Sequence, residues 1–166
     1  MIYRLIQALE RRVKVEQASA HCDIPCGIYD PGPAQIAALT VVRMIDLMNE
    51  MESSHDRNSL EYQNNMPRYV LVKEEHAEKV KNEIRVIWGD YFKQQQIDQH
   101  SNVHELVHKI MMLGSKSRQT ADRENAVQLV DAVNQFAEIF WQTKGVKTKR
   151  AAAPYKPGLE MVYPDL

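Results

Sequence analysis

Apolar side chains recur along this chain at helical intervals. From 33 to 52 they are Ile36, Leu39, Val41, Met44, Ile45, Met48 and Met51, with Asp46, Asn49 and Glu50 elsewhere on the wheel. Pro33 suits the first turn of that helix. Residues 53 to 66 are polar and predict a loop, after which Pro67 is expected to open a second helix. Its stripe of Val70, Ala77, Val80, Ile84, Ile87, Trp88, Tyr91 and Phe92 reaches to about residue 93. Ser101 is a candidate cap for a third helix, which carries Val103, Leu106, Val107, Ile110 and Met111 and is expected to stop near Gly114. A fourth runs from about Thr120 through Ala126, Leu129, Val130, Val133, Phe136, Ala137 and Phe140 to Trp141. With no alternating strand pattern, the periodicity predicts an all-α fold, an antiparallel up-and-down four-helix bundle.

The two ends read differently. Ile2, Leu5, Ile6, Leu9 and Val13 make residues 1 to 16 a short amphipathic helix. Gln17-Ala18-Ser19-Ala20 resembles a secretory cleavage site, but the uninterrupted apolar region of about 7 to 15 residues that secretion needs is missing. At the other end, Lys144, Lys147, Lys149, Arg150 and Lys156 alternate with Pro154, Pro157 and Pro164 without periodicity, so residues 145 to 166 read as a C-terminal tail, solvated or draped on a neighbouring subunit.

The chain's 166 residues suffice for one domain whose core needs neither disulfides nor a structural metal, so a bound metal would be functional. A net charge of −1, from 21 basic and 22 acidic residues, leaves no footprint for nucleic acid. No apolar run approaches the ~18 residues that span a bilayer, and two cysteines so close together cannot staple distant elements. Reduced thiols in a cytoplasm are the simpler reading.

Both cysteines fall in His21-Cys22-Asp23-Ile24-Pro25-Cys26-Gly27-Ile28-Tyr29-Asp30-Pro31. Pro25 biases Ile24 away from helix and Gly27 permits a positive φ, so the segment is expected to hook back and aim two sulfurs at one point. Two thiolates with the His21 imidazole suit a borderline or soft transition metal, and by residue type zinc, copper and nickel all fit. The bland reading is a local disulfide or two inert thiols.

The run H-C-D-I-P-C-G-I-Y-D-P resembles the N-terminal hook of the nickel superoxide dismutases at every fixed position. V-K-E-E-H-A-E with V-I-W-G-D-Y-F-K (72 to 78 and 86 to 93) and I-F-W-Q-T-K (139 to 144) resemble later stretches of the same family, in the same order. The resemblance implies a four-helix bundle at 33 to 144 behind a metal-binding hook at 21 to 31, nickel as cofactor and superoxide as substrate. It implies a precursor whose leader, residues 1 to 20, is removed by a processing protease that cuts Ala20-His21. It implies as nickel ligands the amine and imidazole of His21, the amide nitrogen and thiolate of Cys22, and the thiolate of Cys26. The imidazole would bind axially when the metal is oxidised and leave when it is reduced. Tyr29 and Tyr91 would line the small-anion pocket, and a homo-oligomer, a hexamer, would form. A glutamate that orients the axial imidazole in some members falls on Ala37, and an arginine near it on His76. Axial tuning is where this chain departs from the pattern. Asp23 and Asp30 read as turn formers that bond backbone amides.

A rival motif is His104-Glu105-Leu106-Val107-His108, which fits the H-E-x-x-H of zinc peptidases. No histidine follows, so a third ligand would have to be a carboxylate such as Glu124 or Glu138. Both imidazoles also lie about 90° to 130° from the centre of the apolar stripe, where solvated histidines sit. A further alternative is a non-catalytic nickel-binding helical protein. His55 and His100 read as exposed side chains, and the methionine stripe as adaptable core rather than copper ligands.

Overall fold

The computed structural model describes residues 27 to 166. Among the described residues, α1 (Gly32–Ser54), α2 (Leu60–Val86), α3 (Gln94–Gln99), α4 (Val103–Gln119) and α5 (Arg123–Thr143) are followed by strands β1 (Thr148–Ala152) and β2 (Glu160–Pro164). α1 packs on α2 and α5, and α4 on the same two, which closes a four-helix bundle. Neighbours run antiparallel. Arg123 pairs with Asp46 while Gln35 bonds Asn134, so α5 ascends where α1 descends. Lys73 reaches Ser117 while Trp88 reaches His104, which gives α2 and α4 the same relation.

Most positions of the stripes read from the sequence form the core, whereas Ile36 and Trp88 are exposed. Leu39, Ile45, Val80, Ile84, Val103, Ile110, Leu129, Val133, Phe136 and Phe140 are fully or almost fully buried, each contributing about 1.5 to 3 kcal/mol. Met51 is buried, and Met44 and Met48 are half-buried at the edge of that core. No helix among the described residues is long and apolar enough to cross a membrane.

Four boundary expectations are revised. α4 has Asn102, not Ser101, at its N-cap position, and no side chain bonds there. α2 begins at Leu60, not Pro67, because Ser59 caps it by accepting from the Tyr62 amide. Pro67 lies inside the helix on an exposed position, where water can satisfy the carbonyl that loses its partner. α4 continues past Gly114 to Gln119. A Cβ at Gly114 would meet the Lys81 side chain at 2.9 Å, so this glycine marks a close helix crossing rather than a stop. α5 starts at Arg123, capped by Asp122, whose carboxylate accepts from the Glu124 amide.

The C-terminal reading is corrected. Residues 145 to 166 are not an irregular tail: β1 and β2 pair antiparallel, Thr148 opposite Pro164 and Ala152 opposite Glu160. Gly158, at φ +74°, supplies the left-handed residue in their connection. An isolated two-stranded hairpin is marginal in water. Here Met161, Val162 and Ala153 are buried, and Arg150 grips Glu138 through two bonds (2.8 and 3.2 Å) and Asp131 through a third (3.3 Å) on α5. The missing periodicity reflects a strand pair covered by tertiary contacts.

Lys73 is buried on α2, and its ammonium donates to the carbonyls of Ser117, Arg118 and Thr120 at 2.6 to 2.9 Å. It thereby supplies donors to the last carbonyls of α4, which no intrahelical N–H can reach. Burial holds its pKa below the ordinary lysine value.

Candidate metal centre

His21, Cys22 and Cys26, like the leader at 1 to 20, lie outside the described residues; the structure resumes where the hook joins the bundle. Gly27 there adopts φ +72°, the left-handed region in which a side chain is strained. Three residues on, Asp30 accepts from the Gly32 amide at 2.7 Å, so it forms the turn expected of it and starts α1. Gln35 then closes the first helical bond to the Pro31 carbonyl at 3.1 Å.

Between these turns Tyr29 is half-buried, its ring centroid 5.7 Å from that of Tyr91 at 49°. Residues sixty-two positions apart in sequence are thus brought into tilted ring contact where the described chain begins. Tyr91 owes its place to the last turn of α2, which widens into a π-helical turn over Ile87–Tyr91 before the chain breaks at Phe92. Its ring packs on Phe92 (5.3 Å) and Phe140 (4.9 Å). Its hydroxyl lies 2.7 Å from Thr143 Oγ1, and the Thr143 hydroxyl donates to the Phe140 carbonyl at 2.6 Å. Since Thr143 has a single hydroxyl proton, Tyr91 is the donor to Thr143. The Lys144 ammonium sits 4.5 Å from the Tyr91 ring centroid. Sequence reasoning assigned no role to Thr143 or Lys144, although both stand in the I-F-W-Q-T-K stretch that could have pointed to them.

The other histidines fall elsewhere. Ring nitrogen Nδ1 of His76 lies 2.9 Å from the Val72 carbonyl one turn back on its own helix. His104 and His108 are exposed on α4, and His104 accepts from the Trp88 indole at 3.0 Å. Glu138 is held by Arg150 and Glu124 accepts from Gln128. Among the described residues no three His, Cys, Asp or Glu side chains stand together as a metal would require, so the H-E-x-x-H spacing lacks its third ligand. Ala37 is buried in the core of α1.

Residues 16 to 144 match the family model of the nickel-containing superoxide dismutases. The chain belongs to this family. It is 32% identical over 126 residues to the superoxide dismutase [Ni] of Streptomyces coelicolor, covering 76% of this chain and 89% of the relative. To that of Streptomyces seoulensis it is 35% identical over 133 residues, with 80% and 92% covered. A native nickel superoxide dismutase structure superposes with a TM-score of 0.63 at 31% identity, over 75% of this chain and 99% of the other. A structure whose nickel ligation corresponds to the oxidised state does so at 0.64 and 32%, with the same coverage. The hairpin at 148 to 164 lies beyond the residues that match the nickel-containing superoxide dismutase family model, which end at 144.

Proposed function

We propose that this chain is the precursor of a nickel-dependent superoxide dismutase that becomes active once a protease cuts Ala20-His21. Two superoxide anions and two protons are converted to one dioxygen and one hydrogen peroxide. The observation that carries the reading is the contact of Tyr29, on the described end of the hook, with Tyr91 sixty-two residues later, inside a family match that also contains His21, Cys22 and Cys26.

The donor set fits nickel. Two thiolates and a backbone amide nitrogen are strong donors that stabilise a higher oxidation state, which aquated nickel does not offer. Bound there, nickel supplies the one-electron couple that dismutation needs. His21 would hold it by imidazole and amine, Cys22 by amide nitrogen and thiolate, and Cys26 by thiolate. Cleavage is what frees that amine; within a peptide bond the same nitrogen has no available lone pair.

The remaining tasks fall to the described residues. Tyr29 and Tyr91, whose rings meet at 5.7 Å, would line the small-anion pocket beside the metal. The Tyr91 phenol donates its proton to Thr143, which leaves its oxygen as an acceptor for water that would carry the reaction's protons. Tyr29 fixes the hook's exit against that ring. A cytoplasmic homo-oligomer, a hexamer as in the family resemblance, fits the reduced thiols and the exposed Ile28 and Ile36 that flank the start of α1.

The test is to supply nickel to residues 1 to 166 and to a form beginning at His21, then compare bound metal and superoxide consumption. The shortened form is expected to be active and the intact one inactive. Equal activity in a chain confirmed intact by mass would falsify the processing switch.

A further inference from the structure

We propose that the outer edge of β1 takes up an extended acidic segment of a partner protein, added to the hairpin as a third strand beside Thr148, Arg150 and Ala152. In an antiparallel pair, residues that exchange bonds across the ladder alternate with residues whose N–H and C=O point the other way. The Ala153 amide donates to the Leu159 carbonyl and the Asp165 amide to that of Lys147, both in the register that sets Arg150 opposite Val162. Lys149 and Ala151 therefore bond Tyr163 and Met161, while Thr148, Arg150 and Ala152 turn their backbone groups away from β2.

The two edges of the hairpin are treated differently. On β2 the same alternation turns Glu160, Val162 and Pro164 toward the bundle. Asn134 donates to the Glu160 carbonyl and accepts from the Val162 amide, Gln35 donates to the Val162 carbonyl, and Pro164 has no N–H. That edge is closed by side-chain amides and a proline. On β1, among the described residues, no group bonds the backbone N–H or C=O of Thr148, Arg150 or Ala152, and all of the strand but Thr148 is exposed. Such a row of donors and acceptors is what an incoming strand pairs with.

Side chains decide the occupant. Pairing β1 with the β1 of a second copy would set Lys149 and Arg150 against the same cations, and like charges on neighbouring strands repel. The same charges favour an acidic segment: Lys144, Lys147, Lys149, Arg150 and Lys156 stand in residues 144 to 166 against Glu160 and Asp165. Arg150 is already held by Glu138 and Asp131. The Lys149 pair with Asp165 is exposed on both sides (62% and 53%) and so contributes little, which leaves its charge open to a competitor. Lys147 and Lys149 share one face of the strand, so acids two positions apart on the added segment would meet them, while Ala151 and Ala152 leave room for larger side chains beyond.

The experiment uses the full chain, residues 1 to 166, with an acetylated and amidated Glu-Thr-Glu-Thr-Glu peptide as the probe. In the free chain the amides of Thr148, Arg150 and Ala152 should exchange with deuterium quickly and those of Lys149 and Ala151 slowly. The peptide should protect the first set, and its affinity should fall as salt rises from about 20 mM to 300 mM. Ala152→Pro removes one outward N–H and leaves the ladder to β2 intact; it should abolish binding while Lys149 and Ala151 stay protected. Lys147→Gln with Lys149→Gln should weaken binding about three- to tenfold. N-methylation of the peptide's threonines and of its glutamates blocks opposite edges, so one should abolish binding and the other spare it. This pair decides the matter if Ala152→Pro disturbs the hairpin. Absence of binding, binding that protects none of the three β1 amides, or equal effects of the two methylations overturns the proposal. So does equal competition by a short oligonucleotide, which would mark charge attraction without strand pairing, or protection of the three amides that grows with protein concentration alone, which would assign the edge to a second copy.

Discussion

Gln35, in the first turn of α1, donates to Asn134 Oδ1 on α5 at 2.9 Å, and its second amide proton reaches the Val162 carbonyl of β2 at 3.1 Å. Asn134 in turn donates to the Glu160 carbonyl at 2.8 Å and accepts from the Val162 amide at 3.3 Å. One buried amide pair thus ties the C-terminal hairpin to α1 and α5.

Asn134→Ala would leave Gln35 and the Val162 amide short of an acceptor in a water-poor site. The expected loss is about 2 to 4 kcal/mol of stability, read as a lower urea midpoint with helical circular dichroism retained. An unchanged midpoint would mean that the network contributes nothing.

Tyr91→Phe keeps the ring against Tyr29 and Phe140 but removes the bond to Thr143. Because that phenolic proton is already committed, turnover should fall by less than the roughly hundredfold expected when a direct proton donor is lost. Nickel content should stay normal. Tyr91→Ala, which also removes the packing of Tyr29, should be worse by both measures, and equal effects of the two substitutions would argue against a positioning role for the ring.

Cys22→Ser and Cys26→Ser should each abolish nickel binding and dismutation, since a hydroxyl is not ionised at neutral pH and cannot replace a thiolate. The double change His104→Ala with His108→Ala should leave both intact. Chelation of the wild type should spare the helical signal, because the described core is built without the hook. Loss of helicity on chelation would show instead that the metal holds the fold.

Lys73 offers a pH test. Burial, the largest influence, holds its pKa below the ordinary 10.5; Glu74 raises it and Arg118 lowers it by less. In the interval between the depressed value and 10.5 the unfolded chain binds more protons than the native one, so the residue's contribution to stability grows as pH rises through it. Below the interval both states are protonated and the contribution is constant. Lys73→Met should be destabilised by about 1 to 3 kcal/mol at neutral pH through three carbonyls left without their donor. Its deficit relative to wild type should widen on approaching 10.5, and a deficit independent of pH would contradict the depressed pKa.

What the residues determined by themselves is what depends on near neighbours. The apolar stripes of α1, α2, α4 and α5 were readable because a helix repeats its buried face every three to four residues whatever it packs against. His21, Cys22 and Cys26 can be proposed as a donor set from the sequence because they fall within six residues. Boundaries were less readable: Pro67 reads as a start and Gly114 as a stop until a cap at Ser59 and a close crossing at Lys81 override them. Only the tertiary structure decided that residues 148 to 164 are a docked hairpin, since Arg150 finds Glu138 and Val162 finds Asn134 on a helix that the chain has already left. It likewise decided which way the Tyr91 proton points and where the charge of Lys144 sits. Those outcomes follow from distances between residues far apart in sequence, and no local periodicity encodes such distances.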